Sequence, residues 1–428
     1  MSEGPGPGLR LGPGLDPRSP HAEIPPLLAA SLDKRSLIVR ASPFFVLSFF
    51  WAGALHILPQ VYLLTHAPEN KGAVLAAILG LGTLGATAGV SISRQRLRSA
   101  RPLATRELLG WLLASVVAFA AVALPVEPVE VYVLAIVAFR VVSNVLYNHL
   151  DVALVDAAGI DATRHAAAVT VWQISGQTLG PAAFVAMALV PHATLIAVLG
   201  VGVLAGLALA RLRHAVTAPP TGSPGPRAPL STRARALLAY TFLLQTGVAG
   251  LLGQMVFLLE DWVRLAAPAR GAGLLITGMG VLSVATVIVS RRALAGHPAR
   301  WTMVWPALLM ALAPGVVATR PGVGGLCLVA LAAGVGGGRF MVGTRQLVSA
   351  WPERPGPADL LGRFNNITNL GNLAGYVLSG GVALALGEGH LAYTPTLLAV
   401  FGGLFLSAAA LAALRPFTGA PPSAAAPA

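Results

Sequence analysis

The stretch from 129 to 155, VEVYVLAIVAFRVVSNVLYNHLDVALV, decides the fold. It is long enough to cross a hydrocarbon layer of about 30 Å, which takes roughly 20 helical residues. Yet Arg140 lies near its middle, where a charge costs about 2.5–3.5 kcal/mol on insertion scales. Asn144, Asn148 and Asp151 follow at i+4, i+8 and i+11. At 100° per residue the four fall within about 80° of arc and form one polar stripe. Lipid offers such a stripe no partner, so it must face protein or a water-filled cavity. This helix needs neighbours.

The rest of the 428-residue chain supplies them. Hydrophobic residues make up 55% and charged ones 11%, with a mean hydropathy of +0.74. Apolar runs recur at 43–65, 71–92, 107–124, 129–155, 166–190 and 193–211, then at 236–259, 271–290, 301–319, 323–350, 364–386 and 394–414. Twelve such runs indicate an all-α polytopic membrane protein. Segments three, six, nine and twelve are almost bare of hydrogen-bonding side chains. The others carry them: His56 and Gln60 in segment one, the stripe of segment four, Gln173 and Gln177 in segment five, and Gln245 and Gln254 in segment seven. Arg339 and Gln346 lie in segment ten, and Asn369 and Asn372 in segment eleven. Polar residues inside a bundle mark a pathway, so every third helix is expected to be an outer support.

The chain repeats itself. Arg140 pairs with Arg339 at an offset of 199, Ser93-Arg94 with Ser290-Arg291 at 197, and Gly176-x-x-x-Gly180 with Gly371-x-x-x-Gly375 at 195. Three landmarks at nearly one offset indicate a duplicated six-helix unit. The expected organisation is a Pro/Gly-rich disordered tail over 1–40, a six-helix bundle over 41–211, and a basic, Pro-rich linker over 212–235. A second bundle over 236–415 and a disordered tail over 416–428 complete it.

A net charge of +13 would point to nucleic acid in a soluble chain. Here most Lys and Arg fall on segments that are cytoplasmic if the N-terminus is inside. That asymmetry sets topology, puts both termini in the cytoplasm, and leaves no nucleic-acid partner to invoke. The single Cys327 permits no intramolecular disulfide. No cofactor, metal site, nucleotide loop or paired-carboxylate centre is expected, and an enzyme has no support.

The polar residues admit two readings each. Arg140 and Arg339 either anchor to carbonyls or Asp151, or face a central cavity and attract an anionic or hydroxyl-rich solute. The amides either bond between helices or bind a polar solute. His56 and Asp151 are the candidates for carrying a coupled proton. Gly176, Gly180 and Pro181 combine close helix approach with a proline bend, suited either to packing or to a hinge.

These residues, with the two-times-six layout, resemble the major facilitator superfamily over about residues 40–415. Arg140 matches the arginine of its motif B, and Gly176-x-x-x-Gly180-Pro181 is similar to the end of motif C of drug:proton antiporters. Gly89-Val-Ser-Ile-Ser-Arg-Gln-Arg-Leu-Arg-Ser-Ala-Arg101-Pro102 resembles the longer motif A of sugar symporters and their actinobacterial relatives. Asp359-Leu-Leu-Gly-Arg-Phe-Asn365 resembles the sequence before segment eleven in that branch. Ser93 stands where motif A has an aspartate, whose family role is to pair with a loop arginine and hold the inward-closed state. Ser93 and Arg94 are thus the gating candidates. The resemblance implies a monomeric secondary transporter of the inner (plasma) membrane, moving a small polar or anionic solute by alternating access. Two alternatives stand beside it: a proton-driven exporter of drugs or natural products, and a non-transporting scaffold or receptor.

Overall fold

The computed structural model describes residues 41–66, 70–98, 105–123, 128–158, 162–187, 229–293, 299–349, 357–387 and 391–414. Segment six, most of the expected linker and both expected tails lie outside them. The chain is an all-α membrane protein whose helices follow the predicted segments. Segment one is α1 (Pro43–His56) followed by α2 (Leu58–His66). Segments two to five are α3 (Lys71–Arg98), α4 (Thr105–Ala123), α5 (Val129–Ala158) and α6 (Ala162–Met187). Segment seven is α7 (Thr232–Gly253), the short α8 (Met255–Phe257) and a π-helical turn over Leu258–Trp262. Segments eight to twelve are α9 (Pro268–Ala293), α10 (Ala299–Ala318), α11 (Val323–Ser349), α12 (Pro357–Leu386) and α13 (Tyr393–Leu414). Nine helical spans among the described residues are long and apolar enough to cross a membrane, and Leu109–Ala123 of α4 is a shorter apolar stretch. The polar residues Thr170, Gln173, Gln177 and Thr178 interrupt the apolar character of α6, which is not among the nine.

Two of the predicted helices are broken. Pro59 lacks the N–H that would bond back along α1, and the chain kinks at Ile57 (φ −122°). Gln254, 197 positions later, breaks segment seven with φ −108° and ψ 6°. The repeat therefore extends to the location of its defects.

Glycines set the closest helix contacts. A Cβ at Gly176 or Gly180 would run into the backbone carbonyls of Phe45 and Phe49 on α1. One at Gly371 or Gly375 would meet those of Phe242 and Thr246 on α7. The two GxxxG stretches thus do the same job in each half, bringing α6 onto α1 and α12 onto α7. Between the halves, α3 packs on α12 and α6 on α9.

The expected outer supports behave unequally. On α4, Leu109, Leu113 and Val117 are exposed, as a lipid-facing helix requires. On α10, Trp301, Trp305 and Leu312 are exposed, but Met310, Ala313, Pro314 and Val317 of the same helix line the central cavity. Phe405 of α13 lines it too, so neither segment nine nor segment twelve is only a support. An apolar face can line a cavity as well as touch lipid, and absence of polar residues does not distinguish the two.

Candidate functional site

A cavity of about 270 Å³ lies between the two halves and is lined from both. Its walls differ in chemistry. Asn144 and Tyr147 of α5, Gln173, Gln177 and Thr178 of α6, Gln245 of α7, and Asn369 and Asn372 of α12 present amides and hydroxyls. Met255, Leu258, Ile276, Met279, Val317 and Val329 of the C-terminal half supply apolar lining, as do Leu47, Leu55, Val90 and Ile174 of the N-terminal half. His56 lines the cavity from the end of α1. The helical spacing of Asn144 after Arg140 lets its Nδ2 donate to the Arg140 carbonyl (2.8 Å), which fixes the amide against the helix.

At one end of the cavity the halves are tied by a buried ion pair. Arg345 Nη1 lies 2.7 Å from Asp151 Oδ1, and the two side chains are 6% and 0% exposed. A buried pair is tolerated when further hydrogen bonds serve its remaining atoms, and this one has them. Arg345 Nη2 donates to Tyr147 Oη (3.0 Å) and to Gln173 Oε1 (3.4 Å), and Tyr147 Oη donates to Gln173 Oε1 (3.0 Å). Asn365 Nδ2 donates to Asp151 Oδ2 (3.4 Å) and Asn148 Oδ1 (3.2 Å), adding a second crossing between the halves. The guanidinium also lies 5.9 Å from the ring centre of Phe44.

Ser93, in place of the motif A aspartate, is fully buried beside this lock. It accepts from Asn148 Nδ2 (2.9 Å) and lies 2.7 Å from His149 Nδ1. That nitrogen is also 2.9 Å from the Val145 carbonyl, so the Nδ1-protonated ring serves both oxygens. These bonds join α3 to α5 within one half. Arg94 approaches α12 across the halves, close enough that a Cβ on Gly362 would sit 3.3 Å from its Nε. The buried carboxylate at this end is Asp151, on α5 rather than at the α3 position where motif A carries one, while Glu107 lies 3.6 Å from Arg96 with both side chains exposed.

The other end is closed differently. Gln60 is fully buried and away from the cavity. Its Oε1 accepts from the Val256 N–H (2.8 Å) and its Nε2 donates to the Leu252 carbonyl (3.1 Å) and to the His56 carbonyl. Val256 N–H and Leu252 C=O are the pair that an unbroken α7 would join directly. The amide of Gln60 is spliced into the helical break, satisfying both orphaned groups from the opposite half. Nearby, Lys71 Nζ lies 2.6 Å from Glu260 Oε2 and 3.1 Å from Asp261 Oδ1.

The structure brings His56, Asn144, Gln173, Gln177, Gln245, Asn369 and Asn372 to the cavity, as the sequence suggested. Others on the expected pathway lie elsewhere: Arg140 is fully buried against the Trp51 ring and does not line the cavity. Asn148 and Gln60 are cross-half bonds, and Gln254 is buried at the break in α7 without lining the cavity. Arg339 and Gln346 are half-buried and do not line it either. On α11 the lining face is Gly337, Phe340, Met341, Thr344 and Arg345, and Arg339 falls outside that arc. Arg345 was the residue missed. The signal for it was Asp151, the one carboxylate well within the predicted spans, which required a cationic partner. Gly176, Gly180 and Pro181 are packing positions on α1 and in α6. Among the described residues no cluster of three His, Cys, Asp or Glu side chains is placed to hold a metal.

No family model and no curated protein sequence matches the chain. Solved structures do. The human organic anion transporter MFSD10 (TETRAN) superposes with a TM-score of 0.67 at 14% identity, covering 89% of this chain and 99% of that one. The nucleoside transporter NupG gives 0.62 at 14% identity, covering 88% and 98%. A bacterial homologue of the iron transporter ferroportin, in its outward-facing state, gives 0.59 at 15%, also over 88% and 98%. With twelve predicted segments, a broken first helix in each half and a cavity between the halves, this chain has the fold of major facilitator transporters.

Proposed function

We propose that the chain is a secondary transporter that carries a small polar or anionic solute across the membrane by exposing this cavity alternately to either side. One observation carries the reading: a cavity lined from both halves, with separable cross-half bonds at its two ends. Rocking of two bundles, 41–211 and 236–415, about the 212–235 linker would break one set while keeping the other. The bias of Lys and Arg supports an inner (plasma) membrane setting with cytoplasmic termini, which puts the Asp151–Arg345 lock at the cytoplasmic end and Lys71 outside. Structural neighbours that carry organic anions and nucleosides are consistent with a polar or charged cargo. Asp151 and His56 are the groups through which a proton could be coupled, Asp151 because protonation would release Arg345.

The apolar residues of the lining favour a second reading, export of a drug or natural product with a sizeable apolar part. Counterflow in proteoliposomes, with and without a pH gradient, distinguishes these from a scaffold. Accelerated exchange of a preloaded solute is expected. Absence of flux for every sugar, nucleoside, organic acid and dye offered, with Arg345→Gln leaving the biological role intact, would sink the transporter reading.

A further inference from the structure

The polar side chains of the cavity wall divide by whether the protein already uses them. Thr178, Ser283 and Thr344 donate to the carbonyls of Ile174, Gly334 and Phe340 (2.7, 2.6 and 2.7 Å). Tyr147, Gln173 and Asn365 belong to the Asp151–Arg345 lock. The amides of Gln177 on α6, Gln245 on α7, and Asn369 and Asn372 on α12 are left over. All line the cavity, and their side chains take part in no hydrogen bond among the described residues. Unlike the orphaned nitrogens of Arg140, their amide atoms are not sealed in by packing. The offset of three puts Asn369 and Asn372 on one face of α12, and Gln245 is seated against Gly371 of the same helix.

Free charge is missing from the same wall. Arg345 is the one permanently charged side chain among its described residues, and its terminal nitrogens are taken by Asp151, Tyr147 and Gln173. Arg140 is stacked on the Trp51 ring, outside the lining. An ion entering from water would lose its hydration with no opposite charge free to replace it. An anion could gain one only by prising Arg345 from Asp151. A side-chain amide, by contrast, sets N–H donors beside a carbonyl acceptor. It can meet another amide-like edge through both at once, as it does on a nucleobase. Apolar residues from both halves bed the rest of the solute. Resting on the transporter reading above, we propose that the solute is uncharged and amphipathic. It presents an adjacent donor and acceptor, the edge of a carboxamide, lactam or imide, to Gln177, Gln245, Asn369 and Asn372, and apolar surface to the remaining wall.

The test is a thermal-shift titration of the purified full-length protein with probes built on one ring system: 2-naphthamide, methyl 2-naphthoate, 2-naphthoate and 2-naphthylmethylammonium. The amide should stabilise the protein at a concentration about tenfold below either ion, the cost of desolvating an unpaired charge. It should act about fivefold below the ester, which keeps the acceptor and lacks the donor, the scale of one neutral hydrogen bond. At least one of Gln177→Leu, Gln245→Leu, Asn369→Leu and Asn372→Leu should bring the amide down to the ester while the ester response persists. Gln245→Glu should raise the ammonium above the amide. The wild-type ranking of the probes decides alone if the variants do not fold. An ion or the ester matching the amide, no response to any probe, or an amide advantage surviving every Leu variant would overturn the proposal. Counterflow with the same probes separates it from the transporter reading. Amide-selective binding without flux of the amide removes the transporter and leaves the site. Flux of naphthoate ahead of naphthamide removes the uncharged solute and leaves the transporter.

Discussion

Arg140 and Arg345 are both buried arginines of the membrane domain, one in each half, and their surroundings are opposites. Arg345 meets a carboxylate, a phenol and an amide from the other half. Arg140 meets an aromatic face and no acceptor among the described residues. The difference teaches that burial of charge alone does not mark a binding group. A guanidinium whose bonds are all made within the protein is a strut that must be broken for the halves to part. One whose bonds are unmade ties nothing together and leaves a buried charge uncompensated.

The largest test of that contrast is Asp151→Asn. Removing one member of a buried ion pair costs about 3–5 kcal/mol, because the remaining charge is left without compensation. The melting temperature of Asp151→Asn should fall sharply, and adding Arg345→Gln should restore part of it. A fall no larger than that of a surface substitution would mean the pair is not the strut described here.

Gln60→Leu sharpens the same point at the other end. It would leave Val256 N–H and Leu252 C=O unmet at the break in α7, a loss of about 1–3 kcal/mol for buried groups. Unfolding followed by circular dichroism should detect it. If stability is unchanged, α7 closes its own break and Gln60 is not needed as a splice.

Arg140→Gln should behave in the reverse sense. Loss of the cation–π contact, worth about 2 kcal/mol when desolvated, is offset by removal of an uncompensated buried charge. The expected outcome without ligand is a net gain on the order of 1 kcal/mol, read as an unchanged or higher melting temperature. A fall as large as that of Asp151→Asn would erase the distinction between the two arginines.

Much of this was legible in the sequence because hydrophobic length and polar phase are local properties. Segment positions, the duplication and the polar stripe of α5 all come from spacing within one helix. The pairing of Arg140 with Arg339 by offset was misleading for the opposite reason. Repeat alignment places backbones, but which face of α11 meets the cavity depends on packing between α9, α10 and α11. Gln60 shows the same limit. Its amide is polar and lies one turn from His56, so it reads as a pathway residue. Its role depends on a helical break nearly 200 residues away that no local pattern announces. The apolar lining was invisible for a third reason: Met279 and Val317 look identical to lipid-facing residues until the fold assigns their surroundings.

The smallest expected effect is that of Lys71→Ala. Lys71 is nearly buried over Phe257, with its nitrogen 5.0 Å from the ring centre, but its partners Glu260 and Asp261 have side chains 37% and 43% exposed. Pairs of that exposure are worth about 0–1 kcal/mol and are screened by salt, so the melting temperature should barely move. Any consequence should appear as access. In a Cys327→Ser background with Ser48→Cys in the cavity, a membrane-impermeant maleimide should label somewhat faster from the Lys71 side after Lys71→Ala. The rate should rise much more from the opposite side after Asp151→Asn. A buried, fully bonded pair holds its end shut more firmly than a solvated one, and that ordering of the two labelling rates is what the geometry requires. If Lys71→Ala gave the larger acceleration, the principal barrier would be at the solvated end, and the Asp151–Arg345 pair would be a packing feature of a path that opens elsewhere.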